Sequence, residues 1–264
     1  MPSGVKVGLG LIGIGREWGQ VNTEVPTAEH VMDLLMAAVS KGIDFFDTAP
    51  AYGLSEERLG NFLRSLSPSE TKGLTICTKF GEHWDFHKEC SFVDHSFKTL
   101  CNSIDQSLRR LGKIDILQVH KANKDVLTSK DLFKAIDYAS RKGINAFGAS
   151  VSDVESGVIA SNSSTFSWIQ LPYNSCNSTM KPVIDSCNNN HKYVIINRPL
   201  NMGKLLFNSA SGDKVSTMTE CFNFIVNAKF QGVILTGTKS IKHLKENMVA
   251  YLASCGSPNA VVRD

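Results

Sequence analysis

Short apolar segments alternate with amphipathic helical segments along almost the whole sequence, and this order restricts the possible folds more than any other feature. The first helical segment begins after Thr27, a residue type that caps helices well, and its apolar residues recur three and four apart until Gly42 ends it. The same spacing predicts further helices near residues 59–66, 97–111, 129–142, 153–161, 179–190, 215–229 and 240–254. After a glycine-rich first strand, the apolar segments predict strands at Ile43–Asp47, Leu74–Lys79, Ile114–His120, Ile144–Ser150, Ser167–Leu171, Tyr193–Asn197 and Gly232–Thr236.

Strands that alternate with helices predict a parallel sheet, because each strand needs a crossover helix before the next strand can run in the same direction. The sequence gives eight such units without a linker, and eight units in about 250 residues are typical of a closed barrel. We therefore predict an α/β fold, a (β/α)8 TIM barrel, that forms a single domain over residues 1–264. An open, doubly wound sheet is the alternative.

The composition argues against several classes of protein. The net charge of +3 is small and no run of Lys and Arg is present, so we do not expect nucleic-acid binding. The apolar run near the amino terminus is short and is interrupted by glycines, so we expect neither a signal peptide nor a membrane span. The seven cysteines include no Cys-x-x-Cys pair, and we expect reduced thiols, a cytoplasmic location and no metal site.

The segment Gly8–Gly13 matches the dinucleotide-binding fingerprint Gly-x-Gly-x-x-Gly. That fingerprint requires a helix that opens at its third glycine, but the residues from Gly15 to Gln20 have no apolar periodicity. We interpret the glycines as a first strand and loop in which backbone passes close to a ligand or to other strands. A Rossmann dehydrogenase is the alternative, and a cofactor bound at Gly8–Gly13 would support it.

Four polar side chains come at the ends of three successive predicted strands. Asp47 ends the first of these strands and Tyr52 follows it by five residues, while Lys79 and His120 end the next two. Active sites of barrels lie at the carboxyl ends of the strands, so we expect these side chains to meet. Each of them alone has an ordinary explanation, such as a turn-forming acid or a solvated lysine, but their coincidence favours a site. We also expect Lys79 to form a buried ion pair with Asp47, because a buried charge needs a partner.

These residue types suit acid catalysis at a carbonyl group. A phenol has a pKa of about 10, and an ammonium group such as that of Lys79 favours the phenolate and lowers this pKa. Tyr52 could protonate a carbonyl oxygen while hydride reaches the carbon, and His120 could donate a hydrogen bond to the same oxygen. No side chain supplies a hydride, so this chemistry requires a cofactor.

The sequence resembles the aldo-keto reductase family in the order of its motifs over nearly its whole length. The motifs are Asp47–Gly53 with Glu57 and Gly60, Thr78–Lys79, Leu108–His120, Phe147–Ser150, Ile169–Asn174, Arg198–Leu205, Gly237–Ser240 and Glu246–Asn247. The resemblance implies a catalytic tetrad made of Asp47, Tyr52, Lys79 and His120, with Tyr52 as the general acid. It implies an NAD(P)H-dependent oxidoreductase that reversibly reduces an aldehyde, a ketone or a sugar. The alternative is a non-catalytic, regulatory NADP(H)-binding protein on the same fold, but such a protein would not need Tyr52.

The resemblance also implies which residues bind the cofactor. Ser150 and Gln170 match positions that hold the nicotinamide amide. The positions that match the two phosphate sites are Leu200, Gly203 and Lys204 for the pyrophosphate, and Gly237, Lys239, Ser240 and Asn247 for the adenosine phosphate. We expect NADP(H), with NAD(H) as the alternative, because Lys239 and Ser240 open a helix whose amino terminus favours a phosphate.

Three features depart from the family pattern. Val151 stands where an Asn is often found, and Asn197 stands where many members stack a Tyr on the nicotinamide. Longer members use a carboxyl-terminal tail as one wall of the substrate pocket, and this sequence ends soon after its last predicted helix. We expect the connection from Phe80 to Val93, with Trp84 and Phe86, to replace part of that wall.

Overall fold

A computed structural model describes residues 4–19, 24–207 and 213–256 of the chain. The strands in this part are β1 (Val5–Gly10), β2 (Phe45–Asp47), β3 (Thr75–Phe80), β4 (Glu82–Asp85), β5 (Cys90–Val93), β6 (Ile116–Val119), β7 (Phe147–Ser150), β8 (Trp168–Pro172), β9 (Tyr193–Asn197) and β10 (Gly232–Thr236). The α-helices are α1 (Ile12–Gly15), α2 (Ala28–Ser40), α3 (Ser55–Ser65), α4 (Pro68–Lys72), α5 (Phe97–Leu111), α6 (Lys124–Leu127), α7 (Lys130–Arg141), α8 (Val154–Asn162), α9 (Lys181–Asn189), α10 (Lys204–Phe207), α11 (Lys214–Val226) and α12 (Ile241–Ser254). Two 3₁₀ turns, Pro50–Tyr52 and Asn201–Gly203, follow β2 and β9.

Eight of the strands close into a barrel in the order β1-β10-β9-β8-β7-β6-β3-β2. Neighbouring barrel strands run parallel, and β10 completes the ring by pairing Gly232 with Val5 of β1. Apolar residues of the helices and of the strand faces that point towards them form one continuous core. The predicted (β/α)8 barrel is confirmed, and a closed ring excludes the open, doubly wound sheet.

The strand boundaries agree well with the sequence-based ones, and Tyr193–Asn197 and Gly232–Thr236 agree at both ends. The clearest difference concerns Ile144–Ser150, because the strand there begins only at Phe147. The backbone N–H of Ile144 donates to the carbonyl of Ala139 and so closes the end of α7. Residues 144–146 therefore belong to the connection between helix and strand.

The predicted connection from Phe80 to Val93 contains the antiparallel hairpin β4–β5. Glu82 pairs with Val93 at its open end and Asp85 with Cys90 at its closed end. The Oδ1 atom of Asp85 accepts hydrogen bonds from two backbone N–H groups of the turn, which fixes its shape. The hairpin packs against the turn that follows β2, so it borders the carboxyl end of the barrel.

Gly8 is required by packing inside the barrel. A Cβ atom at this position would lie 2.7 Å from Cγ1 of Val233 and 3.0 Å from Cδ1 of Phe45. The helix that follows β1 has only four residues, Ile12–Gly15. The glycines of Gly8–Gly13 therefore belong to a barrel strand and a short turn, as we interpreted them, and the Rossmann alternative loses its support.

Within the described part of the chain, no helix is both long and apolar enough to cross a membrane. All seven cysteines lie in this part, and all are free thiols. The expectation about the carboxyl-terminal wall of the substrate pocket concerns residues 257–264, which lie outside the described residues.

Candidate active site

The alternation of side chains along β2 carries Asp47 to the mouth of the barrel. Phe45 points into the barrel, where it packs in the inner apolar cluster. Phe46 points outwards and its ring centroid lies 6.3 Å from that of Phe62 on α3. Because successive side chains point to opposite faces, Asp47 points inwards again, where it is 2% exposed.

Lys79 of β3 is the partner of Asp47. Its Nζ atom donates to Oδ2 of Asp47 at 2.6 Å and to the backbone carbonyl of Thr48 at 2.9 Å. Burial alone would lower the pKa of Lys79, but the carboxylate of Asp47, followed by Tyr52 and Cys77, outweighs it and raises the pKa. Lys79 is therefore a buried ammonium group, and the predicted ion pair is present.

Tyr52 lies beside this ion pair, at the end of the Pro50–Tyr52 turn. The Nζ atom of Lys79 is 4.9 Å from the centroid of the tyrosine ring. We expected this ammonium to lower the pKa of Tyr52, and it acts in that direction. Burial is the larger effect, however, and with the charge of Asp47 it raises the pKa above its usual value. The phenol therefore carries its proton at neutral pH, which is the state that an acid requires.

His120 follows β6 and meets Tyr52 edge to face, with ring centroids 6.0 Å apart. Its Nδ1 atom lies 3.1 Å from Oε2 of Glu82, although not with the angles of a hydrogen bond. Burial, followed by the positive charges of Lys79, Lys121 and nearby groups, lowers the pKa of His120 well below its usual value. The imidazole is therefore neutral at neutral pH.

Two glutamines lie beside the ion pair and extend the polar layer across the barrel. Gln118 of β6 donates from Nε2 to Oδ1 of Asp47 and to Oε1 of Gln170, each at 3.2 Å. Asp47 is thus held through one oxygen by Lys79 and through the other by Gln118. Gln170 was predicted as a cofactor residue, whereas Gln118 was not noticed. It could have been found, because it lies two residues before His120 on the inward face of the same strand.

Glu82 was also missed, because its strand was predicted as a loop. Besides facing His120, it accepts a hydrogen bond from the Ser91 hydroxyl at 3.0 Å and lies 3.8 Å from Nζ of Lys121. The hairpin that carries it therefore supplies a negative charge to the mouth of the barrel.

A cavity of about 950 Å³ opens at this end of the barrel, which is large enough for a cofactor together with a small substrate. It extends from Tyr52 and His120 to the amino terminus of α12. The predicted cofactor residues that line it are Ser150, Gln170, Leu200, Gly203, Gly237, Lys239, Ser240 and Asn247. Lys79 is not in the lining because it is buried at 1% exposure. Lys204 is exposed and does not line the cavity either, so the structure places it apart from the other predicted cofactor residues.

The far end of the cavity is formed by the start of α12 and the segment before α2. The Nζ atom of Lys239 donates to the carbonyl of Glu24 at 2.8 Å, and the Lys239 carbonyl contacts Nε2 of His30 at 2.5 Å. Ser240 caps α12 by accepting a hydrogen bond from the N–H of His243 at 3.3 Å. Its own hydroxyl hydrogen is not used by this contact. A positive charge, a hydroxyl and a helix amino terminus therefore face the same region, which suits a phosphate.

The two positions that depart from the family pattern both line the middle of the cavity. Val151 is buried at 3% exposure and offers no side-chain polar group. Asn197 ends β9, and its Oδ1 atom is buried without a hydrogen-bond partner within the described residues. A buried acceptor in a large cavity fits a ligand that donates a hydrogen bond, such as the amide of a nicotinamide.

Comparison with known proteins shows that the chain is similar to a family of reductases and to two dehydrogenases. A model described as the aldo/keto reductase family matches residues 6–221. The chain is 34% identical over 120 residues to the L-galactose dehydrogenase of Arabidopsis thaliana, which covers 43% of this chain and 33% of that protein. It is 28% identical over 183 residues to the D-threo-aldose 1-dehydrogenase of a Pseudomonas species, which covers 58% and 54% of the two chains. The matched segments therefore span from a third to just over half of the length of these two relatives.

A crystal structure from Pseudomonas aeruginosa has the same architecture. That protein, which is provisionally assigned to the aldo-keto reductases, is 26% identical in sequence and superimposes with a TM-score of 0.78. The superposition covers 94% of this chain and 90% of the other. At this coverage the similarity extends over the barrel and its outer helices.

Proposed function

This chain belongs to the aldo/keto reductase family, and on that premise we propose that it is an NADPH-dependent oxidoreductase that reversibly reduces the carbonyl group of an aldehyde, ketone or sugar. The observation that carries the proposal is the position of Tyr52 at the end of a large cavity, next to a buried Lys79–Asp47 ion pair and a neutral His120. A protein that only binds a cofactor has no use for a buried ion pair beside a phenol.

In the reaction, Tyr52 gives its proton to the carbonyl oxygen as the carbon accepts a hydride, and in alcohol oxidation it takes the proton back. His120 is the second polar group at that oxygen and holds it through a ring N–H. Lys79 stabilises the phenolate that Tyr52 becomes, and Asp47 keeps Lys79 charged and in position. The ion pair is buried in surroundings of low dielectric constant, so the attraction of Lys79 to the phenolate and to Asp47 is stronger than it would be in water.

The residues that line the cavity fit a nicotinamide cofactor, which supplies or accepts the hydride when it is bound. Ser150, Gln170 and the Oδ1 atom of Asn197, which has no partner among the described residues, would hold its amide end. The phosphate groups would be held by residues of the other two segments, namely Leu200, Gly203, Gly237, Lys239, Ser240 and Asn247. Lys204 lies outside the cavity lining, and we assign it no role. We further propose a cytoplasmic location, which the seven free thiols support.

A screen of aldehydes, ketones and sugars with NADPH and with NADH tests the proposal. We expect oxidation of NADPH that depends on both the carbonyl compound and the protein, and reduction of NADP⁺ by the corresponding alcohol. Cofactor binding without turnover of any compound in a broad panel would instead favour the regulatory, non-catalytic protein. The relatives named above indicate that the panel should include sugars, since two of them are sugar dehydrogenases by name.

A further inference from the structure

Arg16 occupies the substrate end of the cavity. It follows α1 directly, and the carbonyl of Gly15 accepts a hydrogen bond from the N–H of Leu54 at 2.9 Å. A Cβ atom at Gly53 would lie 3.3 Å from Cβ of Arg16, so the arginine backbone rests on the turn that carries Tyr52. Arg16 lines the same cavity as Tyr52 and His120.

The guanidinium group of Arg16 is held by two tryptophans. Its Cζ atom lies 5.4 Å from the ring centroid of Trp18 and 4.9 Å from that of Trp84 on β4. Contacts of this kind use the faces of the planar guanidinium and leave its N–H edge available. Within the described residues, no carboxylate lies within 4.0 Å of Arg16, and its buried Nε atom has no hydrogen-bond partner.

Glu82, an acid that lines the cavity at this end, is already engaged by other groups. Glu82 lies 3.8 Å from Lys121 and accepts from Ser91 through one oxygen, while its other oxygen faces His120. Arg16 and Lys121 are both near enough to His120 to lower its pKa. Arg16 and Lys121 therefore bring positive charge to the cavity next to the reacting groups, and Arg16 offers there a planar donor edge that no carboxylate of the described residues pairs with.

We propose that Arg16 binds a carboxylate of the substrate, so that the carbonyl compound reduced here is an oxo acid or an aldehyde acid. The inference rests on the proposed function and names its substrate class. A guanidinium edge matches a carboxylate through two parallel hydrogen bonds, and burial strengthens such charge-assisted bonds. The competing explanation is structural: Arg16 only connects Trp18 to the hairpin through its contacts with the two tryptophan rings. That role requires a positive charge at this position but no free N–H groups.

Two pairs of compounds, each an aldehyde acid and its uncharged amide of nearly the same shape, test the proposal. They are 4-formylbenzoate with 4-formylbenzamide, and 3-formylbenzoate with 3-formylbenzamide. In the parent protein we expect kcat/KM to be about 10- to 100-fold higher for the acid in at least one pair, which is the range of one charge-assisted contact. Arg16→Gln should abolish this preference, mainly by raising the KM for the acids.

Two further variants separate recognition from structural support. Arg16→Lys keeps the charge but loses the planar fork, so it should fold and keep only part of the preference. Arg109→Gln removes an arginine that is exposed on α5 and outside the cavity, and it should keep the preference. Equal kcat/KM for acid and amide in both pairs of the parent would overturn the proposal, as would full retention of the preference in Arg16→Gln.

Binding of benzoate, measured by calorimetry with the full-length protein, gives a readout that does not depend on turnover. We expect the Kd to rise by at least about tenfold in Arg16→Gln, while the Kd of the cofactor stays unchanged. If no carbonyl compound is turned over but benzoate binding requires Arg16, the proposed function fails and the carboxylate site stands. If compounds are turned over but benzoate binds parent and Arg16→Gln equally, the proposed function stands and the carboxylate site fails.

Discussion

The Nζ atom of Lys79 lies 2.6 Å from Oδ2 of Asp47, and both side chains are almost completely buried, at 1% and 3% exposure. Removing one partner of such a pair leaves a buried charge without compensation. We expect Lys79→Met to lower the free energy of unfolding by about 3–5 kcal/mol and to reduce activity, because Tyr52 loses the charge that stabilises its phenolate.

Urea denaturation of the single variants and of the double variant Asp47→Asn/Lys79→Met measures this coupling. The double variant should lose clearly less stability than the sum of the two single variants, since no unpaired charge remains buried. Additive losses would show that the pair is not coupled energetically.

Tyr52→Phe removes the proposed proton donor and leaves the shape of the cavity almost unchanged. We expect turnover to fall by about 10²–10⁴-fold, the usual contribution of a general acid, with little change in cofactor affinity. Because the pKa of Tyr52 is raised, the parent should reduce carbonyl compounds at a rate that is independent of pH near neutrality and falls only when the phenol ionises at alkaline pH.

Tyr193→Phe is the matched control, because it removes a hydroxyl from an exposed tyrosine at the other end of a barrel strand. It should leave turnover unchanged. If Tyr52→Phe kept the activity of the parent, Tyr52 could not be the general acid.

The barrel and the meeting of Asp47, Tyr52, Lys79 and His120 could be predicted because both follow from local patterns. A helix after each strand requires parallel strands, and parallel strands deliver their last residues to one end of the sheet. The position of Lys79 beside Asp47 follows in the same way, since adjacent strands bring their inward residues together at that end.

The contribution of the hairpin could not be predicted. Glu82 reaches His120 because β4 pairs with β5, and the sequence of these two short strands has no clear apolar alternation that would predict the pairing. The direction in which the pKa of Tyr52 shifts could not be predicted from the sequence either. Lys79 lowers that pKa as expected, but the outcome depends on how deeply the phenol is buried, and burial is a property of the whole fold. The exclusion of Lys204 from the cavity likewise depends on the course of a loop.

The buried, neutral His120 should make the protein less stable in mild acid. The unfolded chain takes up a proton at a pKa of about 6.5, whereas the pKa of folded His120 is well below this value. Between the two values the unfolded state binds more protons, so stability falls as the pH drops below about 6.5, by at most about 1.4 kcal/mol per pH unit for each such group. His83, whose pKa is also lowered by burial, acts in the same direction.

Urea denaturation at pH 7.5 and 5.5 measures this effect. In His120→Asn the loss of stability between the two pH values should be smaller than in the parent, because one of the contributing groups is absent. His191→Asn, at an exposed position with positive φ that Asn tolerates, should behave as the parent does. An unchanged loss in His120→Asn would mean that folding does not lower the pKa of this histidine.

The preference for NADPH should depend on Lys239. Its side chain lies at the far end of the cavity, where its Cε atom would be 3.2 Å from a Cβ at Gly13, and where the amino terminus of α12 also faces. An ammonium beside unpaired backbone N–H groups favours the extra phosphate that distinguishes NADPH from NADH. Burial lowers the pKa of Lys239, and a bound phosphate would offset that shift by favouring the charged form.

We expect Lys239→Ala to raise the Kd for NADPH by about 10- to 100-fold and to leave the Kd for NADH nearly unchanged, because NADH lacks the phosphate that Lys239 would contact. Lys245→Ala is the matched control, since this lysine is on the same helix but is exposed and outside the cavity lining. The Nζ atom of Lys239 also donates to the carbonyl of Glu24, so the melting temperature of each variant should be measured alongside. A parent protein that binds NADPH and NADH equally, or a Lys239→Ala variant that loses affinity for both to the same extent, would show that Lys239 does not select the phosphate.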